Sequence, residues 1–407
     1  DVKNDIFNIT NNLTYYKGKH SITLGGTYEY QYVGNMFMPG SQSYYAYGSL
    51  EEFINPAARP IAYTYTFSRI PGEDAVYSAE MKIGQLGVYL QDEININSRV
   101  KLSVGLRVDK PIYLEDPLEN PAITALTFPG KDGSPTNYST GMWPKSTLYY
   151  SPRVNVRWDM NGDKSMIVRA GTGVYTGRIP FVYLTNMPTN SGMYQVSVIA
   201  NAAQLAQISF NPDPKAWQSL FTAPAPVPNS GGFVLVDENY KFPQVWRTNI
   251  GFDKKFGKGW SLSMDAMYTK DLNATVMRNA NEAVQTGTVN LGGSIRPSFA
   301  ANTSASRRIY SGYANAIILE NNNAGGSFSI TTQVSKAFSK GFYASLAYTF
   351  SAAQDVTANP GSTASSTWQF NQTTGTQNTK ELSYSSFATP HRIVGTFSYR
   401  KEYIKHL

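Results

Sequence analysis

Five arginines, Arg107, Arg153, Arg157, Arg169 and Arg247, fall on the polar sides of alternating segments that also carry Asp109, Asp253 and Asp265. A guanidinium is a planar fork of donors suited to carboxylates, phosphates and other anions. Two roles follow: pairing with the nearby carboxylates or with an element lying against them, or lining an anion-friendly passage. Other chemistry is sparse. His20 follows a tight turn, His391 opens a strand and His406 lies near the terminus, so neither a metal-ligand spacing nor a nucleophile–base pair arises. There is no cysteine, which removes disulfides and thiolate sites. No GxSxG, HExxH or P-loop pattern occurs, so the sequence predicts no enzyme, no metal and no cofactor.

Two further stretches stand out. "DMNGD", Asp159 to Asp163, resembles the start of a calcium loop but lacks the later glutamate. Asn-Gly between alternating segments favours a hairpin turn there instead. "GRIPFVYLTNMPTNSG" supplies Arg178, Pro180, Phe181, Tyr183, Asn186 and Asn190. Aromatic rings beside amides suit ligand capture, whereas Pro180, Phe181 and Leu184 would equally pack the segment onto a rim. The candidate ligand contacts are therefore Arg178, Phe181, Tyr183 and Asn186 from this loop, with Arg157 and Arg169 from the polar faces.

These side chains need elements to hold them, and the elements are strands. In "LGVYLQDEININSRVKLSVGLRVD", Leu86, Val88, Leu90, Ile94 and Ile96 alternate with Gly87, Tyr89, Gln91, Glu93 and Asn95. After Asn97-Ser98-Arg99 the alternation resumes with Val100, Leu102, Val104, Leu106 and Val108, the pattern of a hairpin with one oily and one wet face. The same period recurs along the chain and predicts eleven strands, several of ten residues or more, with no sustained helical period. Short connections fall at Tyr16–Lys19, Asn97–Arg99, Asn161–Asp163, Gly257–Gly259 and Ser339–Gly341. Long ones rich in Pro, Gly, Ser and Asn span 33–81, 110–150, 176–244, 271–326 and 354–389. Ser311–Glu320 looks extended, but an added spanning strand would break the up-down parity, so it is assigned to a long outer loop.

Charged residues make up 15% of the chain, below the roughly 25% of soluble domains. Aromatic residues reach 13%, and no window approaches the ~18 apolar residues of a spanning helix. If the chain spans a membrane, it does so with strands. The net charge of +7 is spread thinly, without the basic clusters of nucleic-acid binding. "KFGKGW" and "AFSKGF" place Phe256 with Trp260, and Phe338 with Phe342, on the same face across short turns, as in the aromatic girdle of a membrane barrel. Trp158, Tyr15 and Tyr16 sit similarly, and the few charges on oily faces are Asp92, Lys254 and Lys336. The oily face is predicted to meet lipid, which puts the arginines in the lumen, where structural pairing is favoured because large lumens are commonly plugged.

"GVYLQDEI", "SPRVNVRWDMNGDKSMIVRAGTGVYTGRIPFVYLTNMPTNSG" and "TPHRIVGTFSYRKEY" resemble the barrel of Oar-like TonB-dependent outer-membrane receptors, a likeness running from about Gly84 to Tyr403. The resemblance implies an all-β, antiparallel outer-membrane barrel of roughly 22 strands, of which this chain would cover about half. It implies ligand uptake driven through the TonB complex, which would touch a plug segment not found here. The expected setting is the lipid of a Gram-negative outer membrane, with a surface lipoprotein or self-association as further partners and no nucleic acid. The alternatives are a passive porin-like channel, an adhesin-like surface barrel and a soluble β-sandwich.

Overall fold

Among the described residues, period-two alternation becomes eleven long strands in one antiparallel meander, each hydrogen-bonded to the next in chain order. They are β1 (Val2–Lys17), β2 (His20–Asn35), β3 (Ala79–Asn95), β4 (Val100–Tyr113), β5 (Tyr149–Asp159) and β6 (Met166–Thr176). There follow β7 (Gln244–Lys255), β8 (Trp260–Asp271), β9 (Gly326–Ser339), β10 (Phe342–Asp355) and β11 (His391–Tyr399). A two-residue strand, Ser383–Tyr384, extends the pairing at the far end of β10. The computed structural model describes residues 2–72, 79–222, 226, 231–301, 303–339 and 341–401; His406, the end of the resemblance at Tyr403, the middle of the connection Ser339–Gly341 and small parts of connections 33–81, 176–244 and 271–326 lie outside the described residues.

Register sorts the two faces. Leu102, Val156, Ala170, Ile250, Ala266, Ile330 and Phe350 stand side by side across seven strands. Phe7, Ile9, Leu13, Leu90, Leu106, Ile250 and Leu346 are all exposed on this face. A contiguous exposed apolar band is unfavourable in water and suits hydrocarbon. Phe256, Trp260, Phe338 and Phe342 are exposed at its short-turn edge, as the girdle requires. Lys254 and Lys336 lie there over the rings of Phe256 and Trp260, at 5.2 and 5.9 Å. Asp92, an acid on the oily face, is met by His20 Nδ1 at 2.6 Å.

Two of the short turns are closed by side-chain oxygens that accept from backbone N–H groups. Asn97 Oδ1 accepts from the N–H groups of Arg99 and Val100 at 2.8 and 2.9 Å. Asp159 accepts from Gly162 and Lys164 at 2.9 Å each, so "DMNGD" is a turn held by its first carboxylate. The connection is longer than a two-residue Asn-Gly hairpin, because Gly162 and Lys164 both take positive φ before β6 begins.

At the opposite end the long connections have structure of their own. Ala62–Ser68 pairs with Tyr44–Ala46 and with Gln195–Ile199, joining connections 33–81 and 176–244. Ala316–Asn322 pairs in parallel with Phe233–Val236 and antiparallel with Ala274–Asn279. The extended look of Ser311–Glu320 thus reflects a strand of a small loop sheet that lies off the wall.

Candidate functional site

The inner face is polar, and its charges are mostly answered within the wall. Arg107 Nε lies 2.9 and 2.8 Å from the two Asp109 oxygens, and its Nη2 reaches Thr27 Oγ1 at 3.1 Å. Arg169 donates to Asp253 at 3.0 Å and to Asp265 at 3.1 Å. The second contact crosses an intervening strand, since Arg169 and Asp265 both register with Gly251. A Cβ on Gly251 would stand 2.6 Å from Asp265 Oδ1 and 2.9 Å from Arg169 Nη2. The missing side chain is what lets the guanidinium lie flat along the wall. Arg153 donates to Gln91 at 2.9 Å, and Arg247 to Thr269 at 3.2 Å. Lys101 is paired with Glu93. Arg157, in register between Lys101 and Arg169, is exposed and has no side-chain partner among the described residues.

The long-loop end of this wall is capped. Helix Val182–Asn190 lies against the inner side of the strand ends, in one cluster with Val33, Met81, Ile83 and Tyr149 from β2, β3 and β5. Leu184 and Met187 are fully buried, and burial of each such side chain stabilises by about 2–3 kcal/mol. Polar ties fix the helix to other connections. Asn120 Nδ2 donates to Ser191 O at its C-terminal end (2.7 Å), Ala364 N donates to Asn186 Oδ1 (2.9 Å), and Tyr183 Oη donates to Gly361 O (3.0 Å). The sequence gives this helix no amphipathic period because Tyr183 through Thr189 are buried on every side.

The candidate loop residues therefore divide. Phe181, Tyr183 and Asn186 are buried within the cap. Arg178 is exposed at its margin, its Nη1 and Nη2 each 2.8 Å from a Glu29 carboxylate oxygen on β2. Of the lumen candidates, Arg169 is neutralised and Arg157 is open. The structure brings Phe181, Tyr183 and Asn186 together and leaves Arg157 and Arg169 on the wall as in-register neighbours.

A residue set that alternation did not single out lies deeper in the cap. Glu320 has a side chain of 0% exposure, with Oε1 2.5 Å from Arg278 Nη2 and Oε2 3.2 Å from Lys380 Nζ. Arg278 also donates to Pro129 O at 3.0 Å. Burial alone would push the Glu320 carboxyl up, but Arg278 and Lys380 outweigh it and hold the group below the usual carboxylate range. Connections 271–326 and 354–389 meet at this one carboxylate, and Arg278 ties connection 110–150 to them through Pro129. No group of three or more His, Cys, Asp or Glu side chains is placed to hold a metal ion among the described residues.

The outer membrane transporter YddB from Escherichia coli is 16% identical, over 87% of this chain and 34% of that one, with a TM-score of 0.46. The FrpB iron transporter from Neisseria meningitidis gives 9%, 86%, 36% and 0.43, and the siderophore receptor PirA from Acinetobacter baumannii 10%, 87%, 37% and 0.44. The chain thus spans about a third of the length of these structures. No curated protein matches the sequence. The family model described as "Outer membrane beta barrel domain" matches residues 1–406. With its lipid-facing band, polar interior and meander of long strands, the chain belongs to the outer membrane beta barrel domain family and lies in the outer membrane of a Gram-negative bacterium.

Proposed function

We propose that this chain forms wall and mouth of an Oar-like TonB-dependent transporter, taking up a ligand across the outer membrane, rather than a passive pore, an adhesin or an enzyme. The observation that carries the reading is the cap. A packed layer is tied to the inner strand ends at the long-loop end of the wall, and displacing it requires breaking the contacts of buried Leu184, Met187 and Tyr183. A packed layer standing over a polar wall suits a driven step better than free diffusion. In this reading the long connections face outside, the short turns face the periplasm, and the strands belong to one larger barrel domain. TonB would act on a plug segment outside the strands described here. Ligand would meet exposed Arg178 first and exposed Arg157 in the lumen, with Arg169 beside it, while Phe181, Tyr183 and Asn186 shape the entrance. A surface lipoprotein or a second copy could add to the entrance.

The test is electrical and energetic. The full-length protein in planar bilayers is expected to show no steady ohmic conductance, and uptake into cells to collapse when a protonophore removes the proton-motive force. A stable open conductance would favour the porin-like alternative, and uptake indifferent to the protonophore would refute active transport.

A further inference from the structure

The cap holds a cleft of about 760 Å³ between the 119–143 segment and Val236–Asn239. That volume lies within the range of small-ligand sites. Its floor is apolar and firm: Tyr138, Trp143 and Val236 are each 6% exposed, and the Trp143 indole donates to Glu115 O at 2.8 Å. Its two sides are strapped together. Lys145 N donates to Glu238 O at 2.8 Å while its Nζ reaches Glu238 Oε1 at 2.9 Å. The cleft is therefore shaped before any ligand arrives.

Its charges are unbalanced. Glu119, Asp132 and Asp237 line it and receive only neutral donors. Glu119 accepts from the Thr124 and Ser139 hydroxyls, Asp132 from Ser134, and Asp237 from the Asn239 N–H. The one cation in the lining, Lys131, is committed to Asn321 O at 2.7 Å. On a chain of net charge +7, three carboxylates without a cationic partner among the described residues surround an apolar floor. A metal ion is a poor match, because no three acids come close enough to share one.

We propose that this cleft binds an organic oligocation, in which methylene chains cover the floor made by Tyr138, Trp143 and Val236 while ammonium groups meet Glu119, Asp132 and Asp237. Free polyamines and lysine-rich peptides share this chemistry. The inference deepens the uptake reading and rests on it only for the fate of the ligand, since binding is measured apart from transport.

The experiment titrates detergent-solubilised full-length protein with spermidine and, separately, with tri-lysine, by calorimetry at low salt. Saturable binding of either is expected, and which one saturates identifies the source. Glu119→Gln with Asp237→Asn, which keeps both hydrogen-bond acceptors, is expected to weaken it roughly tenfold. Fully N-acetylated tri-lysine is expected not to bind. Should the double variant fail to fold, raising salt on the natural protein from about 50 to about 500 mM is expected to weaken binding in its place. Absence of saturation with both probes, equal affinity in the folded variant, salt-independent binding, or binding of the acetylated peptide would each overturn the proposal. A protein that binds but does not transport would sink the uptake reading alone.

Discussion

Replacing Glu320 by glutamine removes the one negative charge on which Arg278 and Lys380 converge. The Arg278 side chain is 13% exposed, so its charge would be left largely desolvated. Removing one member of a buried ion pair costs about 3–5 kcal/mol, and the glutamine oxygen would retain part of the guanidinium bonding, leaving a loss of about 2–3 kcal/mol. Local opening of Ala316–Asn322 and Ala274–Asn279, the two strands that carry Glu320 and Arg278, should therefore become roughly 30- to 150-fold more frequent. Amide hydrogen exchange reads this directly, with β4 and β5 as the unchanged reference. Glu320→Leu combined with Arg278→Met removes both charges, and should recover most of the lost protection, because Lys380 is exposed enough to turn to water. Acceleration below about threefold in Glu320→Gln, or a double variant no better protected than the single one, would refute the reasoning. The same carboxyl sets a pH dependence. Its folded value lies below its unfolded one, so its contribution is complete above the ordinary carboxylate range and is lost as pH falls through the depressed value. Protection of these strands, corrected for the intrinsic exchange rate at each pH, should be high at neutral pH and fall in acid.

Three further outcomes are expected. Gly251→Ala should displace Arg169 from Asp265, destabilising the wall by about 1–3 kcal/mol, measured as a lower temperature for the loss of heat-modifiable gel migration. Leu90→Arg on the lipid face should impair folding into vesicles by about 2–4 kcal/mol, while Ser103→Arg on the lumen face, across from Glu93, should fold nearly as well as the natural protein; equal effects would contradict the assignment of faces. Arg178→Ala should leave the Glu29 carboxylate, 10% exposed, without its cation, and faster exchange in helix Val182–Asn190 would register the loosened margin of the cap.

Much of the wall is legible from the chain because a membrane strand alternates between two solvents, and the alternation at Leu86–Val108 or Phe328–Phe350 records both. The pairings of Arg169 with Asp253 and Asp265 are legible only as a choice of partners on the same polar face, because β6 and β7 are joined by the long connection 176–244 and no hairpin turn fixes their register. The cap is a different case. Phe233–Val236 is buried on both faces and so shows no period, and its partner, Ala316–Leu319, lies beyond two intervening wall strands. Helix Val182–Asn190 contains Pro188 and is enclosed all round, so neither composition nor period marks it. Glu320 reads as a loop acid until Arg278 and Lys380 are brought to it.

The parallel pairing of Phe233–Val236 with Ala316–Leu319 carries a chronology. Hairpin β7–β8 lies between these two segments, so it must already be laid before they can meet on the same side. Asn186 likewise waits for Ala364, 178 residues later and beyond β10. Contacts of such long separation form late. The expected order of assembly is therefore wall first and cap last, with an interval in which the wall stands without its cap. Mutations that slow cap closure, while leaving the finished protein stable, should reveal themselves as a transient leak during envelope growth.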